Sequence, residues 1–368
     1  MGLAGCSDQS MGEGDGGDGS GDGGSGNGSN GSGDGGGGGG STQWTLGTSS
    51  EGSSSFRIGS NFAQYLQQND LTDTVQLEAV VTPGTSATYR MVDSGEVEIG
   101  GTTTQLLAQS PDQGAFEDDQ LSNFDQIRQV RGYMSFYNFA LANAGEGYES
   151  WSDLEGEAIA ISSPGSGTRA PAEWLVDQEI GMDNVDPRYM AFADIPSALR
   201  GGRVQAAFTW ATNGSIPQGW FQEIDSTVEW TPLPISEETQ QKIESELAYS
   251  TNVTVDGSEI SENYSDPVDA FTLTYLWNTS SERDPEVVYE IARLSHEHGE
   301  ELLEQDEIMG FFPDPDKFLG QLHPDVPVHQ GAYDYYTEAG LWEDYDLTPP
   351  PGAENGGGNG SSNGSNSS

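Results

Sequence analysis

The hydrophobic pattern of this 368-residue chain changes period repeatedly between residues 43 and 345. Short apolar runs, such as Ala158–Ser162, predict strands, whereas apolar positions spaced three or four residues apart predict helices, most clearly at 55–68. This alternation is typical of an α/β fold with mostly parallel strands. The other predicted strands are 43–48, 75–81, 97–101, 188–192 and 204–210, and the other predicted helices are 85–94, 167–178, 195–201 and 285–304, the longest.

Both ends of the chain differ from this patterned region. Residues 12–41 consist of Gly, Ser, Asp and Asn apart from Glu13, and residues 350–368 have a similar composition. Such segments cannot bury enough apolar area to fold, so they are predicted to be flexible. About 300 patterned residues remain between them, and because that number exceeds one comfortable core, two lobes are expected.

The chain is strongly acidic, with 60 Asp and Glu against 12 Lys and Arg and a formal net charge of −48. Mutual repulsion at this density destabilises a compact fold unless salt shortens the Debye length, which falls to about 3 Å at molar salt. The composition therefore favours a halophilic protein over an ordinary acidic one. The same negative field argues against nucleic acid and against anionic membrane surfaces as partners.

Cys6 is the only cysteine, so no disulfide can form within the chain. It follows LAG at 3–5 and precedes a polar run, a pattern typical of the site at which a lipoprotein cysteine becomes the lipidated N-terminus. We therefore predict an extracytoplasmic protein held at the membrane by a lipid on Cys6. A chance cysteine in a disordered leader is the alternative.

A glycine-rich turn follows the predicted strand Ala158–Ser162. Its sequence is PGSGT at 164–168, and a helical pattern begins directly after it. The N-terminus of a helix carries unpaired N–H groups and partial positive charge, so it can bind a carboxylate or a phosphate. The sequence therefore predicts that this turn binds a small anion.

Short motifs occur in a fixed order along the patterned region. They are GTSSEGSSSFRIG at 47–59, TPGTS at 82–86, SGEVEIG at 94–100, LEG at 154–156, PGSGT at 164–168 and VHQGAYDYYTEAGL at 328–341. Together they resemble the motifs of the solute-binding subunits of TRAP transporters, in the TAXI subfamily. The resemblance covers nearly all of residues 43–342.

The resemblance implies a two-lobed, periplasmic-binding-protein-like α/β fold of type II, with mixed and parallel sheets and crossing strands at 135–142 and 270–277. It implies no enzymatic activity and no cofactor. The protein would capture a small carboxylate solute, such as glutamate, glutamine or another organic acid, and deliver it to the membrane subunits of a TRAP transporter. The expected organisation is a lipobox and tether at 1–42, lobe 1 at 43–137 and 267–345, lobe 2 at 138–266, and a disordered tail at 346–368.

The predicted ligand contacts lie just after the carboxyl ends of strands, where open α/β sheets bind ligands. Their hydroxyls could equally cap the helices that follow, and the two roles are compatible. Trp210, at the end of a predicted strand, could close over the ligand or pack in the core. The predicted contacts are Thr48, Ser49, Ser50, Ser53, Phe56, Thr85, Ser86, Thr103, Thr104, Gly165, Ser166, Gly167, Thr168 and Trp210, of which Phe56, Thr103 and Thr104 rest on the resemblance.

Other charged residues offer weaker candidates. Arg57, Arg90 and Arg169 could pair with a ligand carboxylate, although surface ion pairs are the commoner use of arginine in so acidic a chain. His296 and His298 do not predict a metal site, because histidines two apart on a helix point to different faces.

A dinucleotide-binding enzyme is the alternative function. GSGTRA at 165–170 fits the G-x-G-x-x-A pattern after a strand, and Asp194 follows the next strand. Against this, the pattern lies in mid-chain, Pro171 crowds the start of the helix, and no acid–base pair accompanies it. A nucleotide titration followed by tryptophan fluorescence separates the two functions. A hydrolase is disfavoured, since no G-x-S-x-G elbow follows a predicted strand.

Overall fold

The computed structural model describes residues 41–247 and 250–353. Their strands form one mixed sheet of eleven strands. Cys6, most of the predicted tether and most of the predicted tail lie outside these residues. The strands are β1 (Thr42–Gly47), β2 (Val75–Val80), β3 (Ile99–Thr103), β4 (Ile127–Asn143), β5 (Ala158–Ser162), β6 (Asp186–Tyr189), β7 (Ala206–Thr212), β8 (Ile216–Pro217), β9 (Trp230–Leu233), β10 (Asn252–Asp256) and β11 (Pro267–Ser280).

The α-helices of the described residues pack against this sheet and against one another. Among them, none is long and apolar enough to cross a lipid bilayer. The helices are α1 (Ser54–Gln68), α2 (Thr85–Asp93), α3 (Thr104–Ala108), α4 (Arg169–Glu179), α5 (Ile195–Arg200), α6 (Gly219–Thr227), α7 (Glu237–Glu246), α8 (Gly257–Ile260), α9 (Pro285–Glu297), α10 (Gly299–Gln305), α11 (Pro315–Phe318) and α12 (Gln330–Glu338).

The main path of the sheet runs in the order β2-β1-β3-β11-β4-β7-β5-β6. β1 is parallel to β2 and β3, and β5 is parallel to β6 and β7, whereas the central pairs are antiparallel. β4 and β11 pair with each other, and each continues from one half of the sheet into the other. They contain the two predicted crossing strands, and the two-lobed α/β fold of type II is confirmed.

The buried apolar side chains separate into clusters on the two sides of this junction. One cluster gathers side chains of β1–β3, α1, α2, α9 and α12, and includes Phe62 and Trp277, whose rings lie 5.4 Å apart. Two more cover opposite faces of the sheet around β4, β5 and β7: Phe139 belongs to one and Ala140 to the other. Both faces of that part are therefore buried, as parallel strands require. The predicted lobe boundaries, near 137/138 and 266/267, stay a prediction.

Helix α1 shows why the local sequence folds as predicted. The Ser53 hydroxyl accepts a hydrogen bond from the N–H of Phe56 at 3.2 Å, which caps the helix and fixes its start at Ser54. Ile58, Phe62 and Leu66, spaced at the helical period, are all buried.

One predicted strand, 97–101, is shifted toward the C-terminus and forms Ile99–Thr103. The reason is the turn that ends α2, because the N–H groups of Glu96 and Val97 both donate to the carbonyl oxygen of Met91. Residues 96 and 97 are therefore committed to the turn, and the strand starts after them.

The predicted longest helix, 285–304, is wrong as a single element, because it is broken at His298 into α9 and α10. Gly299 lies against the chain at 312–313, where an added Cβ would be 2.5 Å from the backbone nitrogen of Pro313. The chain bends between α9 and α10 to allow this approach. The longest helix is therefore α1, with 15 residues, and α9 has 13.

The ordered chain continues past the predicted start of the tail at 346. The Thr348 hydroxyl donates to the carbonyl oxygen of Pro324 at 2.7 Å, and the Val328 N–H donates to the carbonyl oxygen of Thr348 at 3.0 Å. These bonds attach the segment to the fold, so the predicted boundary is several residues too early.

Candidate ligand-binding cleft

A cleft of about 480 Å³ lies at the junction of the two lobes. Three of its lining segments are loops that follow strands: 49–53 after β1, 83–84 after β2 and 163–166 after β5. The starts of α1 and α2, the turn at 191–193, and residues of β4, β7, β11 and the start of α6 complete the lining. Open α/β sheets bind their ligands at the carboxyl ends of strands, which makes this cleft the candidate functional site.

The first turn of α1 lines the cleft and forms hydrogen bonds with residues on its other side. Ser54 has its hydroxyl 3.3 Å from Thr212 Oγ1 and 3.3 Å from Gln218 Oε1, which belong to the β7–α6 region. Gln218 Nε2 in turn donates to Thr212 Oγ1 at 2.6 Å. This small network joins the first turn of α1 to the opposite lobe.

The loops after β2 and β5 touch each other directly. Gly84 has a φ of 149°, and a Cβ on it would lie 2.5 Å from the carbonyl oxygen of Gly165. The Ser86 hydroxyl donates to the same oxygen at 3.4 Å. A left-handed φ of this kind is open to glycine alone, so Gly84 permits the close approach of the two loops.

The loop at 163–168 uses several of its own donors internally. The N–H of Ser166 donates to the Ser163 carbonyl, that of Thr168 to the Ser166 hydroxyl, and that of Arg169 to the Ser166 carbonyl. Thr168 is fully buried, with its hydroxyl 2.9 Å from that of Ser162. Fewer N–H groups therefore point toward a ligand than the sequence suggested, and the anion site expected at this turn stays a prediction.

One side of the cleft is an aromatic wall, formed by Phe136, Phe192, Trp210, Trp220 and Tyr275. Phe136 stacks on Trp210 with ring centroids 4.6 Å apart, and Phe192 stacks on Trp220 at 5.6 Å. The two stacks meet edge to face, because Trp210 lies at 81° to Phe192. Phe192 and Trp220 are half-buried, so part of their surface remains open to a ligand.

The polar atoms of this wall, the Tyr275 hydroxyl and the Trp210 Nε1–H, are uncharged and buried. Burial raises the pKa of the Tyr275 hydroxyl far above its ordinary value, although a hydrogen bond with Thr85 partly offsets the effect. Behind it, the Tyr133 hydroxyl lies 2.8 Å from that of Ser55. The Nε1–H of Trp210 is buried and has no hydrogen-bond acceptor among the described residues.

Glu51 is the only carboxylate among the described residues that line the cleft, and no arginine, lysine or histidine of these residues lines it. The three arginines that the sequence offered as ligand partners form ion pairs with acidic side chains instead. The pairs are Arg57–Asp306, Arg90–Asp119 and Arg169–Glu173, with N–O distances of 2.6, 3.3 and 2.9 Å.

The structure brings six of the fourteen predicted contacts together on the cleft and leaves eight off its lining. Those that line it are Ser49, Ser50, Ser53, Thr85, Ser166 and Trp210. Those that do not line it are Thr48, Phe56, Ser86, Thr103, Thr104, Gly165, Gly167 and Thr168. Two of the latter have structural duties, since the Thr48 hydroxyl donates to the Val80 carbonyl and Thr103 caps α3.

Sixteen other described residues line the cleft and were not predicted, and four of them are aromatic. Phe136 and Tyr275 lie on the two crossing strands, so the alternation of side chains along those strands was the available signal. Phe192 and Trp220 come from a short turn and from α6, and no local pattern marks them. Glu51, Ser54 and Gln218 are polar lining residues that were also not predicted.

Two α/β lobes joined by crossing strands, with a cleft at the carboxyl ends of their strands, define a periplasmic-binding-protein-like fold of type II. Residues 46–340 match the sequence profile of the NMT1-like family, and the chain belongs to that family.

The chain is also similar to solved structures at low sequence identity. The aliphatic sulphonate binding protein SsuA of Escherichia coli is 13% identical, with a TM-score of 0.41 over 73% of this chain and 79% of that one. AF1704 of Archaeoglobus fulgidus is 14% identical, with a TM-score of 0.43 over 81% and 98%. The binding component of a phosphonate ABC transporter of Pseudomonas aeruginosa is 10% identical, with a TM-score of 0.42 over 72% and 78%. Similarities at this level do not define a ligand or a partner.

Proposed function

We propose that this protein is an extracytoplasmic solute-binding protein that captures one small organic solute and delivers it unchanged to a membrane transporter. The observation that carries the proposal is a cleft whose two sides are joined by hydrogen bonds, from Ser54 to Thr212 and from Ser86 to Gly165. Closure around a solute excludes water and strengthens polar contacts inside. It also creates a closed shape that a transporter can distinguish from the empty protein.

A carboxylate of the solute is proposed to bind at the first turn of α1. The N–H groups at the start of a helix have no acceptor within it, and the helix dipole favours negative charge there. In α1 the Phe56 N–H already donates to the Ser53 hydroxyl, so the N–H groups proposed to bind the carboxylate are those of Ser54 and Ser55. The hydroxyls of Ser49, Ser50 and Ser53 line the same end of the cleft and can donate to an oxyanion. With 15 residues, α1 is long enough for its N-terminus to carry this charge.

The finer parts of the proposal rest on the sequence. The ordered motifs between 47 and 341 support a TRAP transporter of the TAXI type as the partner. The LAG segment before Cys6 supports a lipid anchor that keeps the protein at the outer face of the membrane. The net charge of −48 supports the proposal that the protein functions in high salt.

The test is to purify the protein in molar KCl and identify any retained solute by native mass spectrometry. Titration calorimetry in the same salt then measures the affinity of that solute, and product analysis after incubation checks that it is recovered unchanged. One site per chain and full recovery are expected. Turnover of the solute, or stoichiometric binding of a nicotinamide dinucleotide instead, would contradict the proposal.

A matched pair of serine variants ties the binding to the cleft. Ser54→Ala removes the hydroxyl that bridges to Thr212 and is expected to weaken binding at least tenfold, or about 1.4 kcal/mol. Ser226→Ala is the control, because Ser226 is an exposed serine of α6 whose hydroxyl bonds only to the carbonyl of Glu223. Equal affinities in the two variants would place the solute elsewhere.

A further inference from the structure

The charge around the cleft limits the kind of solute that can bind there. Among its described lining residues Glu51 is the one charged side chain, and the nearby Arg57 and Arg169 pair with Asp306 and Glu173. Molar salt screens the charge of the rest of the chain beyond about 3 Å, so the local charges decide. A solute with net negative charge would face Glu51 and find no cationic side chain of the described lining to pair with. A solute with a positive group avoids both costs.

The aromatic wall supplies the partner for such a group. The faces of aromatic rings are negative, and a cation within about 6 Å of a ring centroid is attracted to them, most strongly by tryptophan. Trp220 is half-buried and offers part of its ring surface to the cleft. Trp210 is only 5% exposed and packs edge to face against Trp220, with ring centroids 5.5 Å apart, so it supports the ring that a ligand can reach.

The apolar character of the wall favours an alkylated ammonium group over a primary one. A primary ammonium is a compact, strongly hydrated charge with three hydrogen-bond donors, and it needs acceptors. The rings of Phe136, Phe192, Trp210 and Trp220 offer apolar surface and few acceptors. Methyl groups on the nitrogen make the cation apolar on its outside, so it loses less hydration when it reaches the rings.

We propose that the solute is a small zwitterion whose alkylated ammonium group packs on the aromatic wall. This inference rests on the proposed function, since it places the carboxylate of the same solute at the first turn of α1. The serine loop at 49–53 and the aromatic wall line the same cleft of about 480 Å³, which is large enough for a small solute to contact both.

Titration calorimetry in molar KCl with named probes tests the proposal. Trimethylglycine is expected to bind at least tenfold more tightly than L-glutamate. Choline is expected to bind more tightly than 3,3-dimethylbutan-1-ol, which has the same shape without the charge. Binding of L-glutamate without binding of trimethylglycine overturns this inference and leaves solute binding intact. Equal binding of choline and its neutral analogue shows that the wall recognises apolar volume, which also overturns it.

Substitutions in the aromatic wall provide an independent test of the proposal. Trp220→Leu is expected to weaken trimethylglycine binding at least tenfold, and Trp220→Phe by less, because a phenyl face attracts a cation less than an indole does. Trp174→Phe is the control, since Trp174 lies outside the cleft and bonds to Glu246. Near-ultraviolet circular dichroism confirms that each variant is folded. Equal affinities for the leucine and phenylalanine variants overturn the ring-face contact. Failure of trimethylglycine and choline to bind the folded wild type overturns the inference, whereas the proposed function is tested separately by the solute that the purified protein retains.

Discussion

Gly84 and Gly165 approach so closely that a Cβ on Gly84 would lie 2.5 Å from the carbonyl oxygen of Gly165. The two residues belong to loops on opposite sides of the cleft, one before α2 and one before α4. Their contact is backbone against backbone, so no side-chain rotation can relieve an added atom. An added atom at Gly84 would therefore force the two loops apart.

The first prediction follows from that contact. Gly84→Ala should hold the loops apart and weaken solute binding more than tenfold, equivalent to about 1.4 kcal/mol. Gly147→Ala is the control, because Gly147 also has a positive φ, 92°, but an added Cβ there meets nothing within 4 Å. Calorimetry on both variants makes the comparison. Unchanged affinity in Gly84→Ala would mean that the cleft binds its solute without closing here.

The second prediction concerns Gly167, which packs against the opposite lobe. A Cβ on it would lie 3.0 Å from Thr103 Cγ2, 3.1 Å from the Tyr275 hydroxyl and 3.4 Å from Thr85 Cβ. Gly167→Val should therefore weaken binding well over tenfold while the melting temperature of the empty protein changes little, because each lobe keeps its own core. Gly167→Ala should have a smaller effect. Similar affinities for the two variants would argue against this contact.

Several secondary elements could be predicted from sequence because their signal is local. The strand Ala158–Ser162 was predicted with its observed bounds, and α1 to within one residue, since both have strong apolar periodicity and a serine cap or a glycine turn beside them. The break between α9 and α10 at Gly299 could not be predicted from the local sequence. It depends on the chain at 312–313, which meets Gly299 only in the folded protein.

The same distinction explains the candidate site. Ser49, Ser53 and Ser166 were predicted because glycine and hydroxyl residues after a strand have a local meaning. Phe192 and Trp220 lie 28 positions apart in sequence, and they stack only because α6 packs beside the turn before α5. Contacts between separate segments such as these leave no periodic trace in the sequence, and of the five rings of the wall only Trp210 was predicted.

The third prediction concerns acid stability at His329. This side chain is buried, and its Nδ1 accepts a hydrogen bond from the Gly331 N–H at 3.2 Å, which caps α12. Burial lowers the pKa of His329 from 6.5 to about 4. Between these values the unfolded chain binds a proton that the folded chain does not, so stability is lost as the pH falls through this window.

His329→Asn isolates that effect, because asparagine can cap the helix but does not titrate. Between pH 6.5 and 4.5 in molar KCl, the wild type should lose about 2 kcal/mol more than the variant, or roughly 5 °C in Tm. The lowered pKa values of His296 and His323 are common to both proteins and cancel in the comparison. Parallel losses in the two proteins would show that His329 does not resist protonation.

The fourth prediction concerns salt. The first 41 residues contain six acidic and no basic residues, so the rest of the chain carries −42 of the total −48. The ion pairs of the described residues, such as Arg169–Glu173 and Lys242–Glu238, are mostly exposed and offset little of this charge. Repulsion among the remaining carboxylates should therefore dominate stability in dilute buffer.

Screening of this repulsion should raise the melting temperature steeply with salt. The Debye length falls from about 30 Å at 0.01 M to about 3 Å at 1 M, so most of the gain should come within that range and should exceed roughly 10 °C. Calorimetric scans in KCl and in NaCl provide the measurement, and equal gains in the two salts are expected if screening is the cause. Sucrose at the same osmolality is the control, since it stabilises through exclusion from the surface and screens nothing. A flat salt response, or an equal gain in sucrose, would contradict the interpretation that the acidic surface suits the protein to high salt.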